Sequence, residues 1–126
     1  MIAADGTAGT PTKPEYIDRV AVKNDGRVFF LRTDEIDYVE SAANYARLHV
    51  GPQSHLIRET LTNLSARLDP SRFSRIHRTT IVNLDRVKEV QPWFSGDAII
   101  ILKTGQKLRL SRVFRSNFEM GTRSQL

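Results

Sequence analysis

The chain has 126 residues, no cysteine, a net charge of +5 and a pI near 10.0. That length fits one domain whose core needs no disulfide or metal, and the lack of cysteine excludes disulfide staples, thiolate zinc sites and cysteine nucleophiles while fitting a reducing cytoplasm. No apolar run reaches the roughly 20 residues of a membrane span, the start lacks the basic-then-apolar layout of a signal peptide, and the basic balance admits polyanions, nucleic acid among them, as partners.

Residues 1–16 read as a flexible linker or added tail, because Met1 to Pro14 is rich in Gly, Pro and small residues without an apolar period. Residues 17–120 read as the folded domain and 121–126 as a frayed end. From Ile17 the texture is β-like. Val20 and Val22, then Val28, Phe30 and Leu31, flank Asn24-Asp25-Gly26, a hairpin signal. Thr33 is placed to cap a single turn over Asp34 to Ile36. Asp37 to Ala42 alternates as a strand, with Tyr38 and Glu40 on one face and Val39 on the other. Ala42-Ala43-Asn44 breaks it, and Tyr45 to Val50 is the next strand. Gly51-Pro52 turns the chain into a short strand from Ser54 to Ile57.

Leu61, Leu64 and Leu68 share one face of a helix over Thr60 to Leu68, capped by Thr60 or Thr62 and stopped by Asp69-Pro70. Next comes FSRIHRTTIVN, Phe73 to Asn83. Arg72, Arg75, His77 and Arg78 gather basic nitrogen here, Thr79 and Thr80 add hydroxyls, and Ile76, Ile81 and Val82 supply an apolar floor. Polar donors are thus mounted on a buried element. Val87 to Val90 reads as a strand, and Gln91 to Gly96 as a turn carrying Trp93 and Phe94, either packed on the turn or exposed as a partner patch. Ala98 to Leu102 is a buried strand. Lys103 to Gln106 turns into Lys107–Leu110, basic outside and apolar inside. Ser111 caps a last turn in which Val113, Phe114 and Phe118 pack. The pattern predicts a mainly β domain with one or two short helices.

Thr33 to Glu40 holds four acids and no base, while Arg72–Arg78 and Lys103–Arg115 hold bases and no acid. A dipolar surface is expected, which favours a nucleic-acid partner. Catalytic readings are weak. His77-Arg78-Thr79 has the His-x-Thr form of two-histidine phosphoesterases, but neither His49 nor His55 supplies a second copy. His49, His55 and His77 form no tight ligand cluster in sequence, Ser74, His77 and Asp85 make a triad only by selection, and no Gly-rich phosphate loop is present. No catalytic residue, metal or cofactor is assigned.

The segments EIDYVESAANYARLHV and LTNLSARLDPSRFSRIHRTTIVNLDRVKEV, an apolar strand, the hairpin KTGQKLRLSR and a last apolar turn resemble the LytTR family of bacterial DNA-binding domains from about Val20 to Phe118. The resemblance implies an elongated stack of small antiparallel sheets that contacts DNA through loops and strand ends. It also implies the output domain of a response regulator, placed after a receiver domain and bound to paired direct repeats in promoters, with a dimer on DNA. Met1 to Pro14 is too short to be a receiver, so this reads as an excised domain or one with another input.

The resemblance places contacts at Asn44, Tyr45 and Arg47, at His77-Arg78-Thr79, and at Ser111-Arg112. Ala43 falls in the first place too, and Ala46 stands where some members carry a polar reader. Arg78 and Arg112 suit guanine, or else phosphate. Arg75, Lys107, Arg109 and Arg115 suit phosphate or plain surface. Asn44 suits an adenine edge or a left-handed turn. Tyr45 either buries its ring or touches phosphate, and His77 either donates to phosphate or organises its loop. Asn83 reads as a structural amide tying the turn to Leu84-Asp85. A basic β-rich protein-interaction module is the alternative.

Overall fold

The computed structural model describes residues 15–126. Strands β1 (Arg19–Asn24) and β2 (Arg27–Arg32) form a two-stranded hairpin closed by Asp25-Gly26. Both turn residues sit at positive φ, 51° and 76°. A two-residue turn needs that geometry to match the twist of its strands.

A five-stranded sheet follows. It is built from β3 (Tyr38–Ala42), β4 (Tyr45–Val50), β5 (Gln53–Ile57), β6 (Phe73–His77) and β7 (Thr80–Asn83), in the order β5-β4-β3-β7-β6. Helix α1 (Leu61–Arg67) links β5 to β6, with the Thr60 hydroxyl accepting from the Asn63 amide at 3.1 Å. The third sheet holds β8 (Val87–Pro92), β9 (Ala98–Leu102) and β10 (Lys107–Leu110), with β9 in the middle. Helix α2 (Arg115–Thr122) closes the chain. Every strand pair is antiparallel. Among the described residues the architecture is mainly β: three small sheets and two short helices.

The five-stranded sheet is buried on both faces. Val39, Leu48 and Ile81 pack with α1 and the β1–β2 hairpin in one core. Ile76 and Val82 pack with Ile100, Leu110 and Phe118 in the other. Adjacent strand residues face opposite ways, so the consecutive pair Ile81-Val82 feeds one side chain to each core. Strands β6 and β7 lie at the junction. Their register shifts between Arg75 and His77, a bulge that bends the strand beside its turn.

Four local expectations are corrected. Thr33 lies inside its single turn and is buried. The turn is closed instead by the Glu35 carboxylate, which accepts from the Arg32 amide at 3.0 Å. Strand β8 runs on to Pro92, into the segment expected to turn. Val113, expected to pack, is 74% exposed, whereas Phe118 is buried as expected. Residues 121 and 122, expected to fray, form the last turn of α2, and the Leu126 amide donates to Glu119 at 3.0 Å. The linker expected over residues 1–16 lies largely outside the described residues.

Candidate nucleic-acid interface

The β6–β7 turn is held from within by Arg75. Its Nε donates to the His77 carbonyl at 3.1 Å and its Nη2 to the Arg78 carbonyl at 2.5 Å, while the guanidinium lies 5.9 Å from the Phe114 ring centroid. Burial pulls the Arg75 pKa below its ordinary value. On the other side of the turn, His77 Nδ1 accepts from the Thr79 amide at 3.2 Å and sits 2.8 Å from the Thr79 hydroxyl. A nitrogen that accepts from an amide carries no hydrogen, so the neutral ring keeps its proton on Nε2. Burial first, then Arg109 and Arg78, lower the His77 pKa; Asp97 opposes them. The turn therefore presents the exposed Arg78 side chain, which has no hydrogen-bond or ion-pair partner among the described residues.

Two backbone hydrogen bonds bring the other predicted segments to this turn. The Ser41 amide donates to the Thr79 carbonyl at 2.9 Å, which sets the end of β3 and the Ala43-Asn44 turn beside it. The Ser111 amide donates to the Ile76 carbonyl at 2.8 Å, which sets the end of β10 against β6. Asn44, Thr79 and Ser111, scattered over the sequence, thus belong to one row of loops. Ser111 caps its own turn by accepting from the Val113 amide at 3.3 Å, and Arg112 is left exposed.

Asn44 is exposed. The left-handed conformation, one of the two alternatives read for it, belongs to Ala43 instead, at φ 56°. Tyr45 is 42% exposed, which overturns burial of its ring, and it lines a shallow groove with Lys23, Leu56 and Arg58. Arg47 lies half-buried in the cross-strand row Thr80–Glu40–Arg47. Lys107 stands at the far end of β10 from Arg112, opposite Ile101, and is not gathered with the others.

The remaining arginines are occupied. Arg109 donates Nε and Nη2 to Asp97 Oδ2 at 3.0 and 2.6 Å. Arg115 donates to the Gly96 carbonyl at 3.1 Å. Asp97 was not anticipated from the sequence. Its Oδ1 accepts from the Arg112 amide at 2.9 Å, so one carboxylate ties the β8–β9 turn to β10 and the loop beyond it. The Arg112 amide first, then Arg109, hold the Asp97 carboxyl below the usual carboxylate range. The signal for it was an acid immediately before an apolar strand whose hairpin partner carries Arg109, legible once Ala98 pairs with Leu110.

The expected acidic pole is spent internally. Asp34 pairs with Arg32 at 3.1 Å, Asp37 is buried 3.1 Å from Arg86 Nε, and Glu40 lies 2.6 Å from His49 Nε2. His49 also stacks on Tyr38, and His55 meets Phe29 edge-on. Each histidine thus has its own packing partner. Asn83 is structural as read: its Nδ2 donates to the Ile36 carbonyl at 2.8 Å and its Oδ1 accepts from the Asp85 amide at 3.0 Å.

The family model described as the LytTr DNA-binding domain matches residues 26–121. The chain belongs to the LytTR family. It is 31% identical over 98 residues to the transcriptional regulatory protein LytR of Staphylococcus aureus, covering 78% of this chain and 40% of that protein. It is 30% identical over 87 residues to the sensory transduction protein LytT of Bacillus subtilis, covering 69% of this chain and 36% of that one. The chain therefore spans well under half the length of these relatives. A solved LytTr DNA-binding domain of a methyl-accepting/DNA response regulator from Bacillus cereus superposes with a TM-score of 0.74 at 18% identity, covering 83% of this chain and 96% of that one. That likeness shows the LytTR fold.

Proposed function

We propose that this LytTR domain binds double-stranded DNA sequence-specifically, on paired direct repeats, as the cytoplasmic output domain of a longer bacterial transcriptional regulator with a receiver or other sensor domain. Membership of a DNA-binding family supports the partner. The observation that carries the reading is the row of loops tied by Ser41–Thr79 and Ser111–Ile76, which leaves Arg78 and Arg112 exposed and unpaired among the described residues. Each guanidinium can donate two parallel bonds to guanine O6 and N7. Asn44 adds an adenine-competent amide and Arg47 supplies a phosphate contact, while Lys107, at the far end of β10, lies outside this row. Tyr45 and the Nε2–H of His77 reach phosphate at the margins. Arg75 and Arg115 position loops.

Selection from random duplex DNA tests this directly. The expected result is an enriched motif repeated at fixed spacing, with affinity falling steeply as salt rises because neutralised phosphates release cations. Enrichment of no motif, or affinity indifferent to salt, would defeat the reading. A second reading rests on Trp93 and Phe94, which are 50% and 72% exposed and meet edge-on at 5.1 Å. They suit a protein contact, either a second copy on adjacent repeats or a separate partner. Partners captured after nuclease treatment, and lost in Phe94→Ser, would favour it.

A further inference from the structure

We propose that Asp97 is the specificity-determining residue of this interface: it withholds the Arg109 guanidinium from DNA phosphate and sets the backbone that carries Arg112. The inference rests on the DNA-binding reading above. A carboxylate among Arg109, Arg112 and Arg115 opposes a polyanion, so it lowers affinity for every duplex alike. What it returns is order. Both its oxygens are used, Oδ2 by two Arg109 nitrogens and Oδ1 by the Arg112 amide, and its side chain is only 14% exposed.

The turn that carries Asp97 is itself fixed. The Trp93 amide donates to the Asp97 carbonyl and the Asp97 amide to the Phe94 carbonyl, both at 3.0 Å. Gly96, at φ 86°, lies against the Arg112 side chain, and a β-carbon there would stand 3.5 Å from Arg112 Cβ. Arg112 is thereby held at its base, where the Asp97 carboxylate accepts from its amide. A freely moving arginine on this rim would take any phosphate within reach. A paired Arg109 and an Arg112 whose backbone is set favour the base arrangement within reach of that one anchor point. Discrimination then comes from a repulsive element as well as an attractive one.

The test measures affinity of the whole chain for a selected duplex and for an unrelated one across a salt series. Asp97→Asn keeps an acceptor for the Arg112 amide but removes the charge that holds Arg109. It is expected to raise affinity for the unrelated duplex, to steepen the log–log salt dependence by about one unit as Arg109 takes a phosphate, and to lower the specific-to-unrelated affinity ratio about tenfold. Adding Arg109→Ala to Asp97→Asn is expected to return the salt slope to that of the wild type. A folded Asp97→Asn protein with unchanged slope and ratio overturns the proposal. Arg109→Ala alone decides the matter should Asp97→Asn fail to fold. An unchanged salt slope supports withholding, and a slope shallower by about one unit shows that Arg109 already touches phosphate and overturns it. A wild-type chain that prefers no duplex defeats the DNA-binding reading itself, an outcome seen before any variant is made.

Discussion

Arg75→Ala separates holding the recognition turn from reading with it. The substitution removes two charge-assisted hydrogen bonds, to the His77 and Arg78 carbonyls, and the contact with the Phe114 ring. A hydrogen bond to a charged group is worth about 1.5–3 kcal/mol when well shielded. Arg75 is only half-buried, so about 1 kcal/mol each is the appropriate scale, with about 0.5 kcal/mol for the cation over the ring. The expected loss is about 2.5 kcal/mol. In urea denaturation this lowers the midpoint by roughly 1–2 M with an unchanged m-value. Arg78→Ala, at the tip of the same turn with an exposed side chain, is expected to change stability by less than about 0.5 kcal/mol. Both variants lose site preference, Arg75→Ala because Arg78 is no longer aimed. Arg75→Lys does not rescue, since a point charge cannot serve two carbonyls in a fixed fork. If Arg75→Ala keeps wild-type stability while its DNA salt slope falls by about one unit, Arg75 is a phosphate contact and the positioning role is wrong.

Other outcomes follow from the same geometry. Arg78→Ala and Arg112→Ala should each relax preference at different base positions, by about 1–3 kcal/mol per position in competition binding. Asn83→Ala leaves the Ile36 carbonyl and the Asp85 amide without their partner, and should cost about 2–4 kcal/mol of unfolding free energy by denaturant titration. Ala43→Gly relieves a left-handed alanine and should stabilise by about 1 kcal/mol, raising the thermal midpoint by a few degrees. His77 has a lowered folded-state pKa, from burial and then from Arg109 and Arg78. Its unfolded form therefore binds protons first as pH falls below about 6.5, so stability should drop between that value and the lower folded one. Thermal midpoints at pH 7.5 and 5.5 should differ less in His77→Ala than in the wild type.

The local structure around the candidate surface was legible because its signals sit in short local phrases. The turn His77-Arg78-Thr79 lies between strands whose apolar residues mark them as buried, so its exposure follows from the pattern alone. The α1 cap at Thr60 and the Asp25-Gly26 turn were readable for the same reason: one residue's backbone preference decides each. Tyr45 and Val113 were misjudged because exposure depends on which neighbour covers a side chain, and no neighbour is visible in a linear pattern. The acidic stretch Thr33–Glu40 misled similarly, since its partners Arg86 and His49 lie many residues away.

The sequence by itself determined the strand alternation, the basic and hydroxyl-bearing turn, the cap and hairpin signals and the family. All of these are carried by residue type at fixed local spacing. Only the tertiary structure decided which arginines are free. Arg75, Arg78, Arg109 and Arg112 are chemically equal in the sequence. The fold gives Arg75 two carbonyls and Arg109 a carboxylate, and leaves Arg78 and Arg112 exposed. The reason is strand pairing at long range: the β9–β10 register brings Asp97 to Arg109, and the Ile76–Ser111 bond closes β10 onto β6. Charge availability at this surface is thus a property of contacts between segments distant in sequence.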